Sequence, residues 1–201
     1  MRFIGITGGV GAGKTEILKY IQKHYKCEIY LADEAAHKVM KAGTDCFQKL
    51  VLLLGPDIVG DDGEINKGAM AQKIFGDERL LLKVNELVHP AVKDYIQKRY
   101  DEASANPEVE LFFVEAALLI EAGYKQVVDE MWYIYASTEV RSKRLREYRG
   151  YTQEKIQSIM ENQLSEEEFR QASDFILDNS GSLAEVYSQI DKKLEAFTWL
   201  E

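Results

Sequence analysis

Apolar residues fall along this chain in two rhythms. Short unbroken apolar runs predict buried strands, and longer stretches with an apolar residue every third or fourth place predict helices. Arg2-Phe3-Ile4-Gly5-Ile6-Thr7 opens as a strand, and Glu16 to Ile21 begins a helix. Cys27 to Leu31 is a second short strand, after which Ala32 to His37 turns into a helix. Residues 44–54 are predicted helical, with Phe47, Leu50, Val51 and Leu54 on one side and Gly55-Pro56 as the stop. After the turn Asp61-Asp62-Gly63, Lys67 to Phe75 forms another short helix. From Glu78 to Ser104, Leu80, Val84, Leu87, Ala91 and Tyr95 share one helical face, and Pro90 predicts a kink or a break near His89. Val109 to Val114 is a third strand, apolar enough to be buried on both faces. Met131 to Ala136 is a fourth, followed by a basic helix capped by Ser137-Thr138. Thr152 opens a helix to Leu164 with only half a capping box, since Lys155 stands where Glu would complete it. Phe175 to Leu177 is a last strand, and Leu183 to Phe197 a closing helix. Strands alternating with helices predict an α/β fold, a parallel sheet flanked by helices, with an all-helical insertion at 44–104.

The turn after the first strand adds a chemistry to this fold. Gly8-Gly9-Val10-Gly11-Ala12-Gly13-Lys14-Thr15 fits G-x-x-x-x-G-K-[ST] at every fixed position, between strand and helix as that motif requires. Its glycines let backbone amides converge on phosphate oxygens at a helix N-terminus. Lys14 is expected to reach the β- and γ-phosphates of a nucleotide, and the Thr15 hydroxyl to hold Mg²⁺. The sheet is then of the P-loop type. One domain, 1–201, is expected, with a nucleotide-binding core (1–43 and 105–201), a helical substrate-binding subdomain (44–104) and a lid (138–150). Arg141 and Arg144 share a helical face in that lid, where guanidinium groups can stabilise charge on a transferring phosphoryl group, and Gly150 offers a hinge. Asp33 follows a strand's carboxyl end, where open α/β sheets place ligands, so it is a candidate base for an acceptor hydroxyl. From position alone, a plain helix N-cap is an equal reading. Glu115 and Glu121 are placed similarly and could instead orient substrate or magnesium-bound water. A GTPase is disfavoured: Asn66-Lys67-Gly68-Ala69 lacks the Asp of N-K-x-D and lies only a few residues after the loose D-x-x-G match at Asp57-Ile58-Val59-Gly60. A small-molecule kinase remains.

Composition narrows the partners. With 34 acidic and 25 basic residues the net charge is −9, which argues against nucleic acid or an anionic membrane surface. Cys27 and Cys46 form no metal or redox pattern, pointing to a reducing compartment. The start runs straight into a core strand, with no signal peptide expected, and no apolar run has membrane-spanning length. A cytoplasmic monomer acting on a small molecule is the expectation. His24 and His37 are expected at the surface or at helix ends, and His89 as a structural cap rather than a substrate contact.

Beyond single motifs, the order of several pieces resembles the dephospho-CoA kinase family over nearly the whole chain. The pieces are Ile6 to Thr15, Ala32-Asp33, Asp62 to Lys67, Ile74-Phe75, His89-Pro90, Leu118-Leu119-Ile120-Glu121, Arg144, Gln163, and Asp174 to Gly181. The resemblance implies transfer of the γ-phosphoryl group of ATP to the ribose 3′-hydroxyl of dephospho-CoA. It implies that Gly11, Ala12, Gly13, Lys14, Thr15 and Glu16 line the ATP phosphates. Asp33 matches the catalytic carboxylate, Arg144 the lid arginine, and Asn179 lies in the segment flanking the adenine. Several positions depart from the pattern. Leu31 stands for a first carboxylate, Glu16 for a hydroxyl residue, Lys67 for arginine and Ala117 for proline, and Arg149 lies one place from an arginine expected at Tyr148. Glu16 weakens nucleotide binding unless it turns outward. The alternatives are another small P-loop nucleoside or nucleotide kinase, or a non-catalytic nucleotide-binding homologue.

Overall fold

The structure, a computed structural model, describes residues 1–198. The described chain divides into two units, Met1–Ile29 together with the chain from Asn106 onward, and Tyr30–Ala105. The first unit carries the sheet. The strands, among the described residues, are β1 (Arg2–Thr7), β2 (Cys27–Leu31, its last two residues counted in the second unit), β3 (Leu111–Glu115), β4 (Glu130–Tyr135) and β5 (Phe175–Asp178), in the spatial order β2-β3-β1-β4-β5. Strand β1 runs parallel to both neighbours, with Ile6 opposite Glu115 on one side and Trp132 on the other. Strand β5 runs parallel to β4. Phe3, Ile4 and Ile6 of β1, Leu111 to Val114 of β3 and Met131 to Ile134 of β4 are all buried, as an unbroken apolar strand requires when both sheet faces are covered. Helices α1 (Lys14–His24), α6 (Thr138–Arg149), α7 (Gln153–Glu161), α8 (Glu166–Ala172) and α9 (Leu183–Thr198) belong to the same unit.

The second unit holds α2 (Ala32–Val39), α3 (Asp45–Leu54), α4 (Lys67–Ile74) and α5 (Glu78–Ser104). Three of these start on side-chain caps: Thr44 accepts from the Phe47 amide, Asn66 from Ala69 and Asp77 from Leu80. Cys46, Leu50, Leu54, Ile58 and Val84 form a second core in this unit. Residues 30–43, expected with the nucleotide core, fall instead in the helical unit, because α2 packs along α5.

Two predicted elements differ from what is found. Helix α5 runs unbroken through Pro90 rather than splitting at His89. Proline removes one helical hydrogen bond, but buried Val84 before it and Val92 and Ile96 after it keep both halves on the same packed face. His89 is therefore an exposed mid-helix residue and not a cap. The helix expected to reach Leu164 stops at Glu161, and Ser165 starts another, α8, with a complete capping box to Glu168.

Candidate functional site

The loop Gly8–Thr15 leaves β1 and enters α1 without a side-chain cap on the helix. Gly8 has φ +146°, and a Cβ there would meet the Ile134 carbonyl oxygen at 2.5 Å, so only glycine lets the loop pass β4. Gly13, in the left-handed region at φ +90°, is the N-cap of α1.

The loop's carbonyls are tied down one after another. Lys14 Nζ donates to the Gly8 carbonyl at 2.7 Å. The Ala12 amide donates to Gly9 at 3.1 Å. Arg141 Nε donates to the Val10 carbonyl at 2.9 Å. Asn179 Nδ2 and Arg144 Nη1 both donate to Ala12, at 2.6 and 3.2 Å. A peptide whose carbonyl is held on one side presents its N–H on the other. Carbonyls anchored to surrounding side chains therefore leave amides to form an anion-binding concavity continuous with the helix N-terminus.

Charge is arranged around this loop. The Lys14 ammonium lies 3.4 Å from the Glu115 carboxylate, both side chains less than a fifth exposed. Glu115 ends β3, in register with Ile6, so the sheet itself places the carboxylate beside the loop. Arg144 also donates through Nη2 to the Asn179 carbonyl at 2.9 Å, which joins α6, the loop and the segment after β5. Burial lowers the pKa of Arg141, although nearby Tyr133 works against that shift. Asn179 is 2% exposed, and its Oδ1 has no hydrogen-bond partner among the described residues. A buried acceptor left this way is costly unless a ligand donor meets it.

The other expected residues are placed as follows. Thr15 and Glu16 are exposed on the first turn of α1. Glu16 does turn outward, pairing with Lys19 at 3.3 Å. Asp33 lies exposed in the first turn of α2, within the helical unit. It is not the helix cap, since Leu31 occupies that position and no side-chain cap bond is made. A carboxylate in a helix's first turn is favoured by the helix dipole. Glu121 is exposed in the turns after β3, and Tyr148 is 82% exposed near the end of α6. Gly150 ends α6 in the left-handed conformation. His24 sits in the last turn of α1 against Tyr20, and His37 Nε2 lies 2.7 Å from Lys67 Nζ. Among the described residues no His, Cys, Asp or Glu cluster of three could hold a metal, and no helix is long and apolar enough to cross a membrane. Sequence reasoning named Gln163 only through a resemblance and gave it no role. The structure puts its Oε1 3.3 Å from the Val10 amide and 2.5 Å from Arg141 Nη2.

Comparison with known proteins shows the family. The family model for dephospho-CoA kinase matches residues 2–185. A dephospho-CoA kinase of Streptococcus mutans is 32% identical, the match covering 96% of each chain. One from Listeria monocytogenes is 33% identical over 93% of this chain and 92% of its own. Among solved structures, a Thermus thermophilus protein superposes with a TM-score of 0.78 at 26% identity, covering 97% of both chains. A shikimate kinase from Acinetobacter baumannii, at TM-score 0.56 and 11% identity over 100% of this chain and 96% of its own, shares the fold alone. A family match over most of the length, on a chain that builds a tethered phosphate loop, places this protein in the dephospho-CoA kinase family.

Proposed function

We propose that this chain transfers the γ-phosphoryl group of ATP to the 3′-hydroxyl of the ribose of dephospho-CoA, yielding coenzyme A and ADP. The observation that carries this reading is the phosphate loop with its tethered carbonyls, in a chain whose family match spans residues 2–185. The acceptor oxygen forms the new bond to the γ-phosphorus, the bond from that phosphorus to the β–γ bridging oxygen breaks, and ADP leaves with the electron pair. Asp33 takes the hydroxyl proton as the bond forms. Its exposed carboxylate, free of any capping role, supports that assignment.

Gly11, Ala12, Gly13, Lys14, Thr15 and Glu16 cradle the phosphates, Glu16 through its backbone while its side chain stays with Lys19. Lys14 and Arg144 counter the charge that builds on the equatorial oxygens. Asn179 Oδ1 accepts from an N–H donor of the nucleotide. Mg²⁺, bound with the nucleotide, neutralises phosphate charge. The exposed Thr15 hydroxyl fits as its protein ligand, because magnesium in such sites keeps waters and phosphate oxygens for most of its shell. We place the activity in the cytoplasm, in a monomer, in keeping with two free cysteines and no membrane-crossing helix among the described residues.

Mass spectrometry of a reaction of purified protein, Mg-ATP and dephospho-CoA tests the proposal. A product heavier by one phosphoryl group and identical to coenzyme A is expected. Phosphorylation of a nucleoside or nucleotide instead would reassign the acceptor, and tight ATP binding without any product would leave a non-catalytic binder.

A further inference from the structure

Val10 is held from both of its polar atoms. Its N–H donates to Gln163 Oε1 at 3.3 Å, and its C=O accepts from Arg141 Nε at 2.9 Å. The two anchors are themselves joined, since Arg141 Nη2 donates to the same Gln163 oxygen at 2.5 Å. Gln163 lies beyond α7 and Arg141 lies on α6, so three separate segments meet at one loop residue. Val10 immediately precedes the run Gly11–Glu16 that cradles the phosphates.

Arg141 fits closely enough to restrict its neighbour. A Cβ on Gly9 would run into the Arg141 guanidinium. The guanidinium is partly buried, and among the described residues no carboxylate pairs with it. Its bonds go instead to a backbone carbonyl and a side-chain amide oxygen, both neutral. A cation so placed gains little from its protein partners as a charge. Its fork geometry lets one side chain reach two acceptors that diverge from a single point, which an ammonium cannot do as well.

We propose that Arg141 and Gln163 are positioning residues of the phosphate loop, a latch that fixes Val10 and thereby aims the amides of Gly11, Gly13, Lys14 and Thr15 at the terminal phosphates. The inference rests on the nucleotide-binding part of the functional reading and is independent of which acceptor is used. The latch acts through the loop, so it governs recognition of the β-phosphate and beyond, and leaves recognition of the base and ribose alone.

Calorimetric binding of ADP and of AMP to the full chain, without acceptor, separates these contributions. Gln163→Leu removes the shared acceptor, and Arg141→Lys keeps the charge while losing the fork. Each variant is expected to lose about tenfold in ADP affinity, the scale of a lost hydrogen bond to a charged or preorganised group, with AMP affinity changed less than about twofold. ADP affinity equal to wild type in both variants overturns the latch. Equal losses for ADP and AMP also overturn it, because a general structural defect does not discriminate by phosphate number. If Gln163→Leu fails to fold, Arg141→Lys alone decides by the same criteria. Wild-type protein that binds no ADP defeats the functional reading itself, a result distinct from either failure of the latch.

Discussion

At the residue scale the site depends on a few side chains with separable duties. Lys14→Ala removes the ammonium that bonds the Gly8 carbonyl and lies near Glu115, so both nucleotide affinity and turnover should fall about tenfold or more. Calorimetry with ADP and product formation with ATP measure the two effects, and wild-type values for both would remove Lys14 from the cradle. Asp33→Asn should leave ATP affinity nearly intact and lower kcat about 10²-fold or more, as loss of a general base does. Unchanged kcat would end its catalytic assignment. Asn179→Asp replaces the amide donor facing the Ala12 carbonyl with a carboxylate that only accepts. Arg144 still holds that carbonyl, but a buried carboxylate now faces it. Urea unfolding should therefore show a loss of about 1–3 kcal/mol or more, the range for a buried polar group left unpaired. Stability equal to wild type would mean that the Asn179 bond contributes nothing. The motif residues were legible because phosphate binding demands a fixed spacing in sequence. Arg141's hold on Val10 was not, because it depends on Gly9 lacking a side chain and on Gln163 arriving from a distant segment.

Elements were legible in proportion to the apolar content of their faces. Helix α5 was bounded at Glu78 and Ser104 from its apolar stripe alone. Its continuity through Pro90 was not, since packing on both sides of a proline is a tertiary fact. Helix α8 went unseen for the opposite reason. Phe169 is its buried apolar anchor, and the one clear signal was Ser165 followed three places later by Glu168. That capping box carries a measurable share of stability. Ser165→Ala should cost about 1 kcal/mol, or a fall in Tm of roughly 2–4 °C in a chain of this size. An unchanged Tm would mean that Phe169, stacked on Tyr133 at 4.7 Å, holds the helix without its cap.

For the whole molecule, acid response follows from carboxylates that the fold holds ionised. Burial alone would raise the pKa of Asp174. Hydrogen bonds from Lys125 and the Met131 amide, with the charges of Lys125 and Lys193, outweigh it and hold the carboxyl below its usual range. A carboxyl depressed in the folded state contributes stability above its unfolded pKa, about 3.9, and loses it as pH falls through the folded value. Asp174→Asn should therefore destabilise the protein at pH 7, and the gap to wild type should shrink below about pH 4. Urea unfolding at both pH values reads this directly, and a gap independent of pH would assign the effect to the lost hydrogen bonds alone. The division of the chain was only partly visible beforehand: the apolar stripes announced a helical insertion, but the packing of α2 on α5 moved its boundary back to Tyr30.

The pairing of β1 also sets an order of events during synthesis. Phe3 and Ile4 sit opposite Phe112 and Phe113. Strand β1 must therefore wait for the whole helical insertion to be made before either lateral partner exists. At about 5–20 residues per second that delay is on the order of ten seconds. Throughout it Phe3, Ile4 and Ile6 have no sheet to enter, while the insertion can complete its own core of Leu50, Leu54, Ile58 and Val84. The strand destined for the centre of the sheet is made before both of its partners and buried late, which makes it a segment for chaperones to shelter.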